Sequence, residues 1–372
     1  MNILYFTPSI GNGGVEKMLI EWISGLSSKG NYTFDIVTTK IIDNDKFLEL
    51  KKISRNIYLI DPGQLKLHKK IPQFIKILLK GKYDIFHAHS CFAFDFWMFA
   101  VAKIVGVKLR IIHSHNSKVV FRLYATKLLH NISRPFLRYF STDYMACGQE
   151  AGFYLLGDKE SVRKKMTILE NGINIKDYLP NKEIRDKLRK EFCVSDKKVL
   201  VTVGRLEKQK NIGFLLKVFA ELLIHEPSAV LFVIGDGSQK NYLMRLSQNL
   251  HIDKYVKFLG NRTDVPFLLN AMDAFVLTSL YEGLVISAVE AQCAGLSCVL
   301  SDSIPNEVNL SGNANFISLN TSKEEWSSAI KVALYAGKDL FAYKKIMQAG
   351  YDIDASVTKL DRYYKKISNR QS

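Results

Sequence analysis

The stretch Thr278-Ser-Leu-Tyr-Glu-Gly-Leu-Val-Ile-Ser-Ala-Val-Glu-Ala-Gln292 holds two carboxylates, Glu282 and Glu290, eight positions apart. The apolar run 274–277 reads as a buried strand, Glu282 and Gly283 fall in the loop behind it, and a helix is expected over about 286–294. A helix N-terminus behind a parallel strand turns unpaired N–H groups toward an anion. Gly283 lets a ligand come close to the backbone. Glu290, two turns into the helix, could accept two hydrogen bonds from neighbouring hydroxyls, as a ribose diol offers. Such a pair also fits a solvated helix face, so its meaning depends on what the rest of the chain brings to it.

The second half opens with an apolar run at 198–203, then Gly204-Arg205-Leu-Glu-Lys-Gln-Lys210-Asn, then a helix to about His225. Arg205 and Lys210 behind a strand could place two cations over one pyrophosphate, the first as a rigid fork and the second as a point charge. Near the N-terminus an apolar strand over 2–7 leads into Pro8-Ser-Ile-Gly-Asn-Gly13-Gly14 and a helix with Glu16 in its first turn. That order of strand, glycine turn and helix suits a phosphate, but it is neither GxGxxG nor a Walker loop. A tight turn explains it equally. Two other strand ends carry His87-Ala-His89 and His113-Ser-His115-Asn116. Four imidazoles without a carboxylate or cysteine partner argue against a metal centre there.

These motifs need strand-ends to carry them. Strand-like runs at 34–38, 57–60, 84–88, 109–113 and 143–146, and later at 229–235, 256–260, 273–278 and 297–300, alternate with helical patterns. Alternation of that kind predicts parallel sheets with helices on both faces, binding ligands beyond the strands' carboxyl ends. With 372 residues and 47% apolar content, two domains of ordinary size are expected.

The chain resembles the retaining, GT-B fold glycosyltransferases of the group-1/family-4 type, most of all the capsule and exopolysaccharide branch. Glu282 and Glu290 stand as that family's E-x7-E, Gly204-Arg205 with Lys210-Asn as its G-R…K loop, Gly13-Gly14-Val-Glu16 as its G-G-x-E, and Asn171-Gly-Ile as its N-G-I. Val285 stands where a proline is usual and Asn306 where a lysine is common. The resemblance covers nearly the whole chain. It implies an α/β fold of two Rossmann-like, doubly wound parallel-sheet domains with an interdomain cleft: 1–165 on the acceptor side, 166–353 binding the nucleotide-sugar, and 354–372 a helix crossing back to the first domain. It implies a donor site of Gly13, Gly14, Asn171, Arg205, Lys210, Arg262, Glu282, Gly283, Leu284, Val285 and Glu290. Glu290 would hold the ribose, Glu282 the sugar hydroxyls and His115 the sugar from the first domain; Arg205 and Lys210 would steady the leaving pyrophosphate. It implies no metal cofactor. The donor is a nucleotide-sugar, UDP-linked by family habit, carrying a hexose or N-acetylhexosamine. The acceptor is a polyprenyl-pyrophosphate-linked glycan at the inner face of a membrane. A nucleotide-sugar epimerase or sugar phosphorylase of the same fold is the alternative.

Charge gives an independent expectation. The formal net charge is +16, and residues 1–180 carry 26 Lys and Arg against 15 Asp and Glu. Between Asp95 and Asp143 no acidic residue occurs, while Lys103, Lys108, Arg110, Lys118, Arg122, Lys127, Arg134 and Arg138 do. The segment 121–140 reads as a basic amphipathic helix bent near Pro135, lying on an anionic membrane surface or covering the sheet. No nucleic-acid motif accompanies the charge, which sets nucleic acid aside. The five cysteines form no CxxC pair, as expected of idle thiols in a reducing cytoplasm. No apolar run is long enough to span a bilayer and no signal peptide is read. Asp43-Asn-Asp45 and Asp352-Ile-Asp354 match the D-x-D metal motif only superficially.

Overall fold

A computed structural model describes residues 1–11, 13–60, 67–116, 124–283 and 285–369. The chain divides into two compact units, Met1–Gly172 with Ile353–Ser372, and Ile173–Asp352. The first is built on a seven-stranded sheet of β1 (Asn2–Thr7), β2 (Thr33–Thr38), β3 (Asn56–Leu59), β4 (Ile85–His89), β5 (Leu109–Ser114), β6 (Asp143–Ala146) and β7 (Met166–Ile168). Their order is β3-β2-β1-β4-β5-β6-β7, with parallel pairing throughout. The first unit runs past 165 because β7 hydrogen-bonds to β6, which places the division after Gly172.

The final helix, Ile353–Ser368, belongs to this unit. Ile353, Val357, Leu360, Tyr364 and Ile367 recur at helical spacing and are buried against the sheet. Their burial contributes on the order of 10 kcal/mol. Polar contacts fix its register: Trp22 Nε1 donates to Ser356 Oγ at 3.0 Å, and Tyr32 donates to Asp361 at 2.6 Å.

The second unit holds β8 (Lys198–Val203), β9 (Ala229–Ile234), β10 (Val256–Gly260), β11 (Ala274–Leu277), β12 (Ser297–Ser301) and β13 (Ala314–Ile317), in the order β10-β9-β8-β11-β12-β13, again parallel. β8 and β9 are almost wholly apolar, as strands covered on both faces must be. Strand order reverses at β1/β4 in one unit and at β8/β11 in the other, and crevices open at such points. The loops behind β1, β8 and β11 hold the stretches around Gly13-Gly14, Arg205 and Lys210, and Glu282.

Candidate functional site

In the second unit the loops after β8 and β11 meet through side chains. Lys210 Nζ lies 2.6 Å from Glu282 Oε1, and both side chains are largely covered, 14% and 8% exposed. Ser279 Oγ donates to the same carboxylate oxygen at 2.6 Å, and Gln209 Nε2 donates to the other at 3.3 Å and to the Tyr281 carbonyl at 2.9 Å. Leu280 N donates to the Gln209 carbonyl at 2.8 Å, tying the two loops by backbone as well. The two switch-point loops thus share one charged centre.

Glycine lets the loops after β8 and β9 pack against each other as well. A Cβ on Gly235 would sit 2.0 Å from the Gly204 carbonyl oxygen, and its φ of +133° suits glycine alone. A Cβ on Gly204 would press Lys210 Cε at 3.0 Å. Arg205 is exposed beside Lys210 in the same loop.

The helix Ile286–Cys293 follows the Glu282 loop with Val285 at its N-cap, making no side-chain cap. Its Glu290 is 7% exposed and accepts a 2.5 Å hydrogen bond from Tyr178, which is fully buried. Burial, and then the Glu290 charge, push the Tyr178 hydroxyl far above its ordinary pKa, so it stays a donor.

In the first unit the helix Gly14–Ser27 begins at Gly13, which makes no side-chain cap. Glu16 folds back instead: its Oε1 accepts from Gly11 N at 3.2 Å, and a Cβ on Gly13 would meet its Oε2 at 2.4 Å. His87 and His89 alternate along β4, His113 stands on β5 opposite His89 in register, and His115 follows just past the end of β5. The rings stack, His87 on His89 at 4.5 Å and His113 on His115 at 4.2 Å between centroids. His87, His89 and His113 offer nitrogens within 4.8 Å of one another. Stacked rings, however, turn faces rather than lone pairs toward each other, and both His87 nitrogens are engaged, with Tyr364 at 2.6 Å and His113 at 3.2 Å. Burial holds all four rings well below the ordinary histidine pKa, His115 at about 4.

Comparison with known proteins adds the decisive observation. Residues 12–177 match the family model "Glycosyltransferase Family 4" and residues 183–345 match "Glycosyl transferases group 1". The putative glycosyltransferase EpsF of Bacillus subtilis (strain 168) is 30% identical over 97% of this chain and 96% of its own. The chain belongs to the family 4, group 1 glycosyltransferases.

This glycosyltransferase is also 28% identical, over 74% of its length and 70% of the relative's, to the Escherichia coli UDP-Gal:alpha-D-GlcNAc-diphosphoundecaprenol alpha-1,3-galactosyltransferase. Anabaena Alr3699/HepE, solved in complex with UDP-glucose, superposes with a TM-score of 0.81 at 19% identity, covering 98% of this chain and 100% of that one. WaaG, a lipopolysaccharide glycosyltransferase, superposes at 0.69 with 15% identity, over 96% of this chain and 98% of its own. The fold is therefore GT-B, and the enzyme transfers a sugar from a nucleotide-sugar.

Of the residues expected at the site, Lys210 and Glu282 are in direct contact, with Gly283 and Val285 adjoining them in the chain. Glu290 stands in the following helix, and Leu284 lies outside the described residues. Arg262 lies in the loop after β10, clasping Asp264 with two hydrogen bonds of 2.8 and 2.6 Å. Asn171 is buried in the first unit and hydrogen-bonded to His115 at 3.2 Å. Asp43 of the first D-x-D pattern is a helix N-cap, accepting from Lys46 N at 2.9 Å.

Tyr178, Gln209 and Ser279 escaped the sequence reading. Ser279 stands three residues before Glu282 and was within reach of it; Tyr178 is separated from Glu290 by 112 positions and gave no local signal. Tyr178→Phe removes a hydrogen bond to a carboxylate and leaves that charge with less support. The substitution is expected to lower the unfolding free energy by about 1.5–3 kcal/mol, measured by urea titration. A change below about 0.5 kcal/mol would mean that water replaces the hydroxyl.

The acid-free stretch also reads differently in three dimensions. In the helix Tyr124–Phe140, Arg134 and Arg138 turn inward and donate to the last carbonyls of the helix Gln149–Leu156, those of Tyr154 and Leu156. Arg110 donates to the carbonyls of Phe140, Val107 and Lys108. Three of the eight cations are thus structural. The outward face carries Leu128, Leu129, Ile132, Phe136 and Tyr139, all about half exposed or more, beside exposed Lys103 and Lys127. No helix among the described residues is long and apolar enough to cross a membrane.

Proposed function

We propose that this glycosyltransferase moves a hexose or N-acetylhexosamine from a UDP-sugar, with retention at the anomeric carbon and without a metal, onto a lipid-linked surface-polysaccharide unit. The observation that carries the reading is the Lys210–Glu282 pair at the switch point of the second sheet, braced by Gln209 and Ser279. Glu282 would hold hydroxyls of the donated sugar and Glu290, oriented by Tyr178, the ribose diol. The acceptor hydroxyl attacks the anomeric carbon as the bond to the diphosphate breaks on the same face, and its proton passes to a donor phosphate oxygen. Arg205 and Lys210 would stabilise the charge gathering on the diphosphate, in place of a divalent cation. Amides of Gly13, Gly14 and Gly283 would add to that, and His115 would contact the sugar. Because Lys210 already carries an anionic partner, it would be shared with the phosphate rather than recruited from solvent.

A UDP donor and a polyprenyl-diphosphate acceptor are supported by the E. coli relative's name, and UDP-glucose by the Anabaena complex. Release of free nucleotide from a panel of UDP- and GDP-sugars, with a lipid-linked acceptor extract and excess chelator, tests the proposal. One UDP-sugar should be consumed, chelator should not matter, and the product should keep the donor's anomeric configuration by NMR. Inversion, or loss of turnover with chelator, would overturn it.

The exposed face of Tyr124–Phe140 supports peripheral attachment to the inner face of the membrane, its apolar side chains entering the acyl boundary and Lys103 and Lys127 meeting anionic headgroups. Ile132→Asp with Phe136→Asp is expected to abolish flotation with anionic vesicles, whereas raised salt weakens it only in part. Flotation unchanged in the double variant would exclude this face.

A further inference from the structure

The stacked histidines contain a proton inventory that settles a question of tautomers. A neutral imidazole has one N–H and one lone pair. His89 Nδ1 lies 2.8 Å from His115 Nε2, and His115 Nδ1 lies 3.2 Å from Asn171 Oδ1. Among the described residues His89 Nε2 is buried without a partner. Two arrangements satisfy both contacts. In one, His89 Nδ1–H donates to His115 Nε2 and His115 Nδ1–H donates to the Asn171 carbonyl oxygen, so the atom left over is a lone pair. In the other the Asn171 amide is turned over, every proton is reversed, and His89 Nε2–H is buried with nothing to receive it. Buried orphan donors are rarer than buried orphan acceptors, so the first arrangement holds.

The neighbouring His87 and His113 are joined Nε2 to Nδ1 at 3.2 Å, and His87 Nδ1 continues to the Tyr364 hydroxyl at 2.6 Å, which in turn meets Tyr5 at 2.9 Å.

We propose that His89 and Asn171 are positioning residues that hold His115 as the Nδ1–H tautomer and keep its Nε2 as an acceptor, into which a hydroxyl of the donated sugar inserts between the two rings. The inserted hydroxyl accepts from His89 Nδ1–H and donates to His115 Nε2, so no polar group loses its partner. A position without a hydroxyl offers neither half of that exchange. His115 is the more exposed ring of the pair, 8% against 2%. The proposal rests on His115 as a sugar contact, which the preceding reading assigns.

Nitrogen-15 NMR of the histidine-labelled, donor-free enzyme between pH 6 and 8 tests the tautomers directly. His89 and His115 should both show protonated Nδ1 and bare Nε2; a protonated His115 Nε2 would overturn the proposal whatever the enzyme's substrate. Kinetics test the function. His89→Leu should lower kcat/KM for the donor by about tenfold, the worth of one buried hydrogen bond. His89→Asn, whose amide N–H falls near the Nδ1 position, should recover most of it; equal loss in both variants would leave His89 a packing residue and overturn its positioning role. Asn171→Asp should move the acid limb of kcat/KM to higher pH, because a carboxylate favours the His115 imidazolium against the neighbouring His87, His89 and His113; an unmoved limb would overturn the Asn171 contact. If His115→Ala kept full activity while the NMR pattern held, the sugar-contact reading alone would fail.

Discussion

Lys210→Ala is expected to cut kcat by about 10²–10³-fold, the usual loss when one preorganised charge-stabilising group is removed from an active centre. The same substitution takes the cation from Glu282, which stays covered while Ser279 and Gln209 still donate to it. Breaking a buried pair costs about 3–5 kcal/mol when nothing replaces the partner. The retained hydrogen bonds should keep the cost below that. Stability and catalysis are separable through the double variant Lys210→Ala with Glu282→Gln. Neutralising Glu282 restores much of the unfolding free energy without restoring turnover, since Arg205 alone is left to face the diphosphate. Lys210→Arg is not a silent comparison, because a planar fork replaces a point charge in a loop where the side chain packs so close to Gly204 that a Cβ there would meet Lys210 Cε at 3.0 Å. Turnover of Lys210→Ala within about threefold of the parent, with melting unchanged, would remove Lys210 from the reaction and leave it a tie between loops.

The sheet architecture was legible because these strands are buried on both faces and read as unbroken apolar runs between turn residues. β1, β6, β8 and β10 fall on the expected residues. β13 was missed: it has four residues, Ala-Asn-Phe-Ile, of which only Ile317 is buried, so neither alternation nor a continuous run marks it. β7, three residues long, falls on the other side of the boundary at 166 that the resemblance implies, because its pairing with β6 is not written in the local pattern. Site residues were legible where a strand ends in a loop, since backbone order fixes what such a loop presents. Partners brought in by folding were not, and Tyr178 beneath Glu290 is the plainest case. Charge misled in a definite way. Counting Arg110, Arg134 and Arg138 toward a basic face assumes that arginine faces water, whereas here each guanidinium donates to helix-end or loop carbonyls. The outward face of Tyr124–Phe140 is consequently more apolar than basic.

The histidine stack should make the enzyme acid-sensitive well above the range where carboxylates titrate. In the unfolded chain a histidine has a pKa near 6.5, whereas burial lowers all four in the folded state, His115 to about 4. Folded pKa values below unfolded ones mean that the unfolded state binds more protons between them, so stability falls as pH drops below about 6.5. Each such group contributes about 1.4 kcal/mol per pH unit, and four contribute on the order of 5. Asp95 opposes them: burial raises its folded pKa to about 6, so that one group gains stability as pH falls from there. One carboxyl against four imidazoles does not reverse the sign. Urea unfolding at pH 7, 6 and 5 should show a net uptake of about three protons on unfolding near pH 5. His113→Phe, which keeps a ring on Trp22 and removes one titrating group, should lower that number by about one even if it destabilises the fold at pH 7. An uptake of one proton or fewer in the parent would mean that the stack is already protonated in the folded enzyme, and with it the tautomer assignment would fall.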